Sequence, residues 1–121
     1  MTAIMIINIR TKNYDAMEKF YRDQLRLNRL VGAPRRGISF MDFDVEIHVD
    51  EVSRDEDVGV MGSLILYTRD VRIVAAGLPK RGIPVELRDR QSAVEALFKD
   101  PDGHLWMIVA REKKDVFSVE K

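Results

Sequence analysis

From Asp44 to Asp50 apolar and polar residues alternate without a break: Val45, Ile47 and Val49 fall on one side, Asp44, Glu46, His48 and Asp50 on the other. A period of two gives a strand with one buried and one polar face. Ile38–Phe43 reads as the strand before it, although no strong turn signal separates the two. Ala3–Thr11 is rich in β-branched residues and reads as a first strand, interrupted by polar Asn8 and Arg10. The pattern then turns helical. Tyr14, Met17, Tyr21 and either Gln24 or Leu25 fall near one face, with Phe20 beside them, while Lys12, Asp15, Lys19, Arg22 and Asp23 fill much of the remainder. Asn13 is placed to cap this helix. Asn28–Val31 suits a short strand, ended by the loop Gly32-Ala33-Pro34-Arg35-Arg36-Gly37, whose two arginines read as solvated, with an anion contact as the alternative.

The second half repeats the order. Gly62–Thr68 reads as a strand and Asp70 as the cap of a short helix, which Gly77 and Pro79 should end or bend. Gly82–Leu87 begins another strand, with Pro84 suggesting an edge. Ala93–Lys99 and Leu105–Arg111 flank the turn Asp100-Pro101-Asp102-Gly103, in which Pro presets its own φ and Gly takes one that other residues resist. Ile6–Asn13 overlays Ser63–Asp70 at an offset of 57 positions, so a strand, a helix and three strands occur twice. The expected organisation is a single α+β domain over 1–121. Module one covers about 1–52, an acidic linker about 53–58, module two about 59–111, and a frayed or partner-packed tail 112–121.

Composition narrows the function. With 121 residues, 45% apolar and 33% charged, the chain suits one soluble globular domain. Twenty basic residues balance twenty acidic ones, so no overall field favours nucleic acid or a membrane surface. The absence of cysteine removes disulfides, thiolate metal sites and cysteine nucleophiles. Ile4–Ile7 is too short for a signal segment, and no apolar run approaches a bilayer span, which makes the cytoplasm the default expectation.

The segment Phe98-Lys99-Asp100-Pro101-Asp102-Gly103-His104-Leu105-Trp106 resembles the last hairpin of the vicinal oxygen chelate superfamily: glyoxalase I, bleomycin-resistance proteins and extradiol dioxygenases. The resemblance also covers Ile9–Leu27, with its Phe20-Tyr21 pair and Asp23-Gln24-Leu25 segment, and Gly62–Val71. Arg26 departs from it, because the family often has glycine after the leucine. The resemblance implies two βαβββ modules forming a curved mixed sheet, a cup whose lining decides function, and a homodimer, sometimes domain-swapped.

Metal-using members of that family place a ligand on the first and last strand of each module. Carried over, these positions are Ile6, Ser63, Met107 and either Glu46 or His48. Hydrocarbon and thioether cannot replace carboxylate or imidazole on a divalent ion, and serine is a poor ligand. The expectation is therefore no metal and no cofactor. A metal-independent binder resembling bleomycin-resistance proteins follows, sequestering a small organic molecule in the cup of a dimer. Ile6, Ile65, Tyr67, Met107 and Val109 would give apolar or aromatic contact, and Asn8, Arg10, Glu46, His48 and Ser63 would fix orientation. The acidic row on the fourth strand hints at a cationic or amine-bearing ligand. The alternative is a glyoxalase-like lyase or isomerase that uses Glu46 and His48 for proton transfer, with or without a divalent metal. His104 reads as turn packing, and Trp106 as core beneath a helix.

Overall fold

β-Branched residues make Met5–Thr11 the first strand, β1, which buries Ile7, Ile9 and Thr11 and turns Ile6, Asn8 and Arg10 to the opposite face. The computed structural model describes residues 5–30, 36–90 and 93–110. Helix α1 spans Tyr14–Lys19 and runs on as a π turn over Phe20–Gln24. Its buried side is Tyr14, Met17, Phe20, Tyr21 and then Leu25 rather than Gln24. The wider π turn carries two adjacent aromatics, Phe20 and Tyr21, inward together. Asn13 stands at the N-cap, but its side chain makes no cap; its N–H donates to Thr11 Oγ1 at 2.8 Å instead. Arg26 adopts a left-handed φ of 61°, so the glycine-favouring conformation survives without the glycine.

Strands β2 (Gly37–Asp42) and β3 (Val45–Glu51) form a hairpin through Phe43 and Asp44, whose φ values are 52° and 64°. Two positive φ values suit the right-handed twist of a hairpin and are usually given to Asn-Gly. Here the Asp42 carboxylate supports the turn by accepting from the Phe43 N–H at 2.9 Å. The strand expected over Asn28–Val31 is reduced to one bridge between Arg29 and Phe40; Val31 and the Gly32–Arg35 part of the loop lie outside the described residues. Arg36 is exposed, as expected, and there pairs with Asp15 and Glu51 and lies 4.7 Å over the Tyr14 ring. Ala3, Ile4 and the tail also fall outside the described residues.

Of the strand expected over Gly62–Thr68 only Ile65–Thr68 forms, and a further short strand precedes it. β4 (Gly59–Met61) runs antiparallel to β1, and β5 (Ile65–Thr68) runs parallel to the last strand. Gly62 breaks them at φ 119°, where a Cβ would stand 3.1 Å from the Ile6 carbonyl oxygen and 3.2 Å from Ile7 Cα. Helix α2 (Val71–Gly77) is capped as expected, the Asp70 side chain accepting from the Ile73 N–H at 3.2 Å. A 3₁₀ turn over Pro79–Arg81 and left-handed Gly82 end it. β6 (Glu86–Arg90) starts two residues after Pro84 and lies at a sheet edge; β7 (Ala93–Lys99) and β8 (Leu105–Ala110) complete the chain.

The strand orders are β2-β3-β1-β4 and β5-β8-β7-β6, with parallel pairs β1–β3 and β5–β8 in equivalent places. Helix-facing residues of both sheets share one core. Tyr21 lies 6.3 Å from Phe40 of the first sheet and 5.8 Å from Trp106 of the second, and Phe98 stacks on Trp106. Gln24 and Arg81 stand at the 57-residue offset and exchange hydrogen bonds, Gln24 Nε2 to the Arg81 carbonyl at 3.1 Å and Arg81 Nε to the Gln24 carbonyl at 2.5 Å. The sequence repeat is thus a repeat in space.

Candidate functional site

Alternation buries one face of each sheet against the helices and leaves the other partly exposed, the face that the resemblance assigns to the cup. On the first sheet the register sets Ile6 beside Glu46, Asn8 beside His48 and Arg10 beside Asp50. β2 adds Ser39 beside His48 and Met41 beside Glu46, and β4 adds Met61 beside Asn8. This half is polar at its centre. Ser39 Oγ lies 2.9 Å from His48 Nδ1, and His48 Nε2 lies 2.6 Å from Glu46 Oε2. Three side chains from two strands form one hydrogen-bonded line, with His48 30% and Glu46 25% exposed. Arg10 turns along the strand to Met61, Nη2 to Sδ 3.5 Å.

The second sheet presents a different surface. Ile65 pairs with Met107 and Tyr67 with Val109, while Leu97 lies on the other side of Met107 and Glu95 beside Val109. Leu97 is 4% exposed although it stands apart from the main core cluster, so the apolar patch on this face has depth of its own. Trp106 alternates away to the core, where its Nε1 donates to the Tyr21 hydroxyl at 2.9 Å. Ser63 is exposed and stands two residues before β5, its carbonyl accepting from the Ile65 N–H at 2.9 Å. His104 stays in the turn, Nδ1 2.8 Å from Asp100 Oδ2.

Of the residues named from sequence, Ile6, Asn8, Arg10, Glu46 and His48 come together on the first sheet, and Ile65, Tyr67, Met107 and Val109 on the second. Ser39, Met41, Met61 and Leu97 were missed. Ser39 and Met41 alternate with buried Ile38 and Phe40, and Leu97 with Ala96 and Phe98, so period two marked all three. Met61 left no such signal, because β4 is only three residues long.

The parallel registers also sort the choice between Glu46 and His48. Asn8 and Ile65 stand at the repeat offset, and their partners are His48 and Met107. His48 is thus the counterpart of Met107 in the repeat. One imidazole, with both nitrogens already in hydrogen bonds, does not make a divalent-ion cage. Among the described residues no group of three or more His, Asp or Glu side chains could hold a metal ion. Nor is any helix there long and apolar enough to cross a membrane.

No protein-family model matches the sequence, and no curated protein matches it. Solved structures do. TioX from Micromonospora sp. ML1 superposes with a TM-score of 0.73 at 17% identity, over 89% of this chain and 98% of that one. TnmS3, an antibiotic binding protein from Streptomyces sp. CB03234, gives 0.72 at 19% identity over 93% and 98%. A lactoylglutathione lyase from Agrobacterium tumefaciens gives 0.69 at 19% identity over 91% and 94%. The chain therefore has the fold of the glyoxalase and bleomycin-resistance proteins, as the Asp-Pro-Asp-Gly hairpin and the repeat implied.

Proposed function

We propose that this protein binds a small organic molecule without a metal ion, holding it between the polar face of the first sheet and the apolar face of the second. The reading is supported by the residues at the positions that the resemblance assigns to metal ligands, Ile6, His48, Ser63 and Met107, of which one is an imidazole. The same fold serves an antibiotic binding protein and a lyase, so the lining decides between them. An imidazole, an amide, a hydroxyl and a carboxylate on one half orient a ligand, while Tyr67, Met107 and Val109 on the other half remove apolar surface from water. Ile6 and Met61, 54% and 60% exposed on the first face, are apolar side chains that a second copy of the chain would cover, which favours a homodimer.

Elemental analysis of untagged protein, offered Zn2+, Ni2+, Mn2+ and Fe2+ and then desalted, tests the metal-free part. The expected result is no retained ion. Retention near one ion per chain, lost in His48→Ala, would overturn it. The 2.6 Å contact between Glu46 and His48 favours one second reading, a proton-transferring enzyme. A turnover whose pH–rate profile disappears in His48→Ala would establish that reading in place of binding.

A further inference from the structure

The proton arrangement of Ser39, His48 and Glu46 fixes what the first sheet offers a ligand. This deepens the binding reading and rests on it. A carboxylate only accepts hydrogen bonds, so the Glu46 Oε2 contact places the imidazole proton on Nε2. In the neutral ring Nδ1 is then bare and accepts, which engages the single hydroxyl proton of Ser39. Every donor of the three side chains is used within the line. Of these three side chains only acceptors are left over, the lone pairs of Ser39 Oγ and the second oxygen of Glu46, while the donors of this face are the Asn8 amide beside His48 and the Arg10 guanidinium beside Asp50. Asp50 adds a carboxylate two positions along the same face, against the single guanidinium of Arg10.

We infer that the cup selects ligands in which an apolar body carries a hydrogen-bond donor, best a protonated amine. The amine meets Glu46 and Ser39, and the body meets Tyr67, Met107 and Val109. A ligand bearing a carboxylate in that place brings a second acceptor against acceptors and leaves both sides unpaired. Glu46 sets this preference more than Ser39 does. Removing the Ser39 hydroxyl merely uncovers Nδ1, itself an acceptor, whereas a glutamine at 46 can accept from Nε2 with its carbonyl and turn its NH2 donors outward.

The test uses matched triplets on phenyl, indole and naphthalene bodies, each with an ethylamine, a propionate or a neutral propyl side chain. Affinities are measured by calorimetry at mildly alkaline pH. The amine should bind wild-type protein about tenfold or more tighter than the propionate, the size of a charge-assisted hydrogen bond. Glu46→Gln should abolish or reverse that ratio, with an unchanged circular dichroism spectrum showing that the protein remains folded. Ser39→Ala should keep the ratio. Propionates that bind wild type as well as amines do would overturn the donor preference and leave the binding reading standing. Failure of every triplet, neutral compounds included, would overturn both.

Discussion

Asp100 joins the two modules through a carboxylate with no solvent access of its own. It accepts from the Tyr21 hydroxyl at 2.5 Å, from the backbone N–H groups of Asp102 and His104 at 3.0 and 2.9 Å, and from Trp106 Nε1 at 3.4 Å. Burial first, and then the charge and hydrogen bond of Asp100, push the Tyr21 hydroxyl well above the usual tyrosine range. The unfolded chain loses that proton near the ordinary pKa of about 10, while the folded chain keeps it. Above that pH the unfolded state binds fewer protons, so stability falls as pH rises. The melting temperature should decline on the alkaline side, and less steeply in Tyr21→Phe, whose loss at neutral pH should be about 1–3 kcal/mol. Thermal melts across the alkaline range check both. Arg26 offers an opposite case. Its φ of 61° strains an exposed L-residue, so Arg26→Gly should raise stability by roughly 0.5–1 kcal/mol in urea denaturation. The Asp-Pro-Asp-Gly turn was legible as local chemistry. Its bond to Tyr21, across 79 residues, left no local pattern to read.

Elements were legible where burial imposes a period and obscure where geometry has little side-chain cost. β3 alternates cleanly because one of its faces is buried and the other lines the cup. The Phe43-Asp44 turn lacked the Asn-Gly signal that its positive φ values normally call for, so the break between β2 and β3 went unmarked. Gly62 was visible as a residue but not as a break, because its role depends on the close approach of Ile6 and Ile7 from β1. Two caps show the same limit. Asn13 and Asp70 are both good N-cap residues, yet only the Asp70 side chain bonds its helix. Asp70→Ala should therefore cost about 1 kcal/mol, measured by chemical denaturation, and Asn13→Ala markedly less.

At the scale of the whole molecule, two similar supersecondary units share one inner core and present different outer faces. Phe40 and Trp106 still meet around Tyr21, and Gln24 and Arg81 still exchange hydrogen bonds across the repeat. Outside, one half carries Asn8, Ser39, Glu46 and His48, and the other Tyr67, Leu97 and Met107. In the proposed function, that asymmetry assigns ligand orientation to one half and ligand desolvation to the other. Amide-resolved NMR titration of chelator-treated protein with the aromatic triplets tests this directly. Binding without added metal should shift the amides of Asn8, Ser39, His48, Tyr67, Leu97 and Met107 and leave those of Tyr21 and Trp106 in place. Shifts that appear only when a divalent ion is supplied, or that gather around Tyr21 and Trp106, would contradict metal-independent binding in the cup.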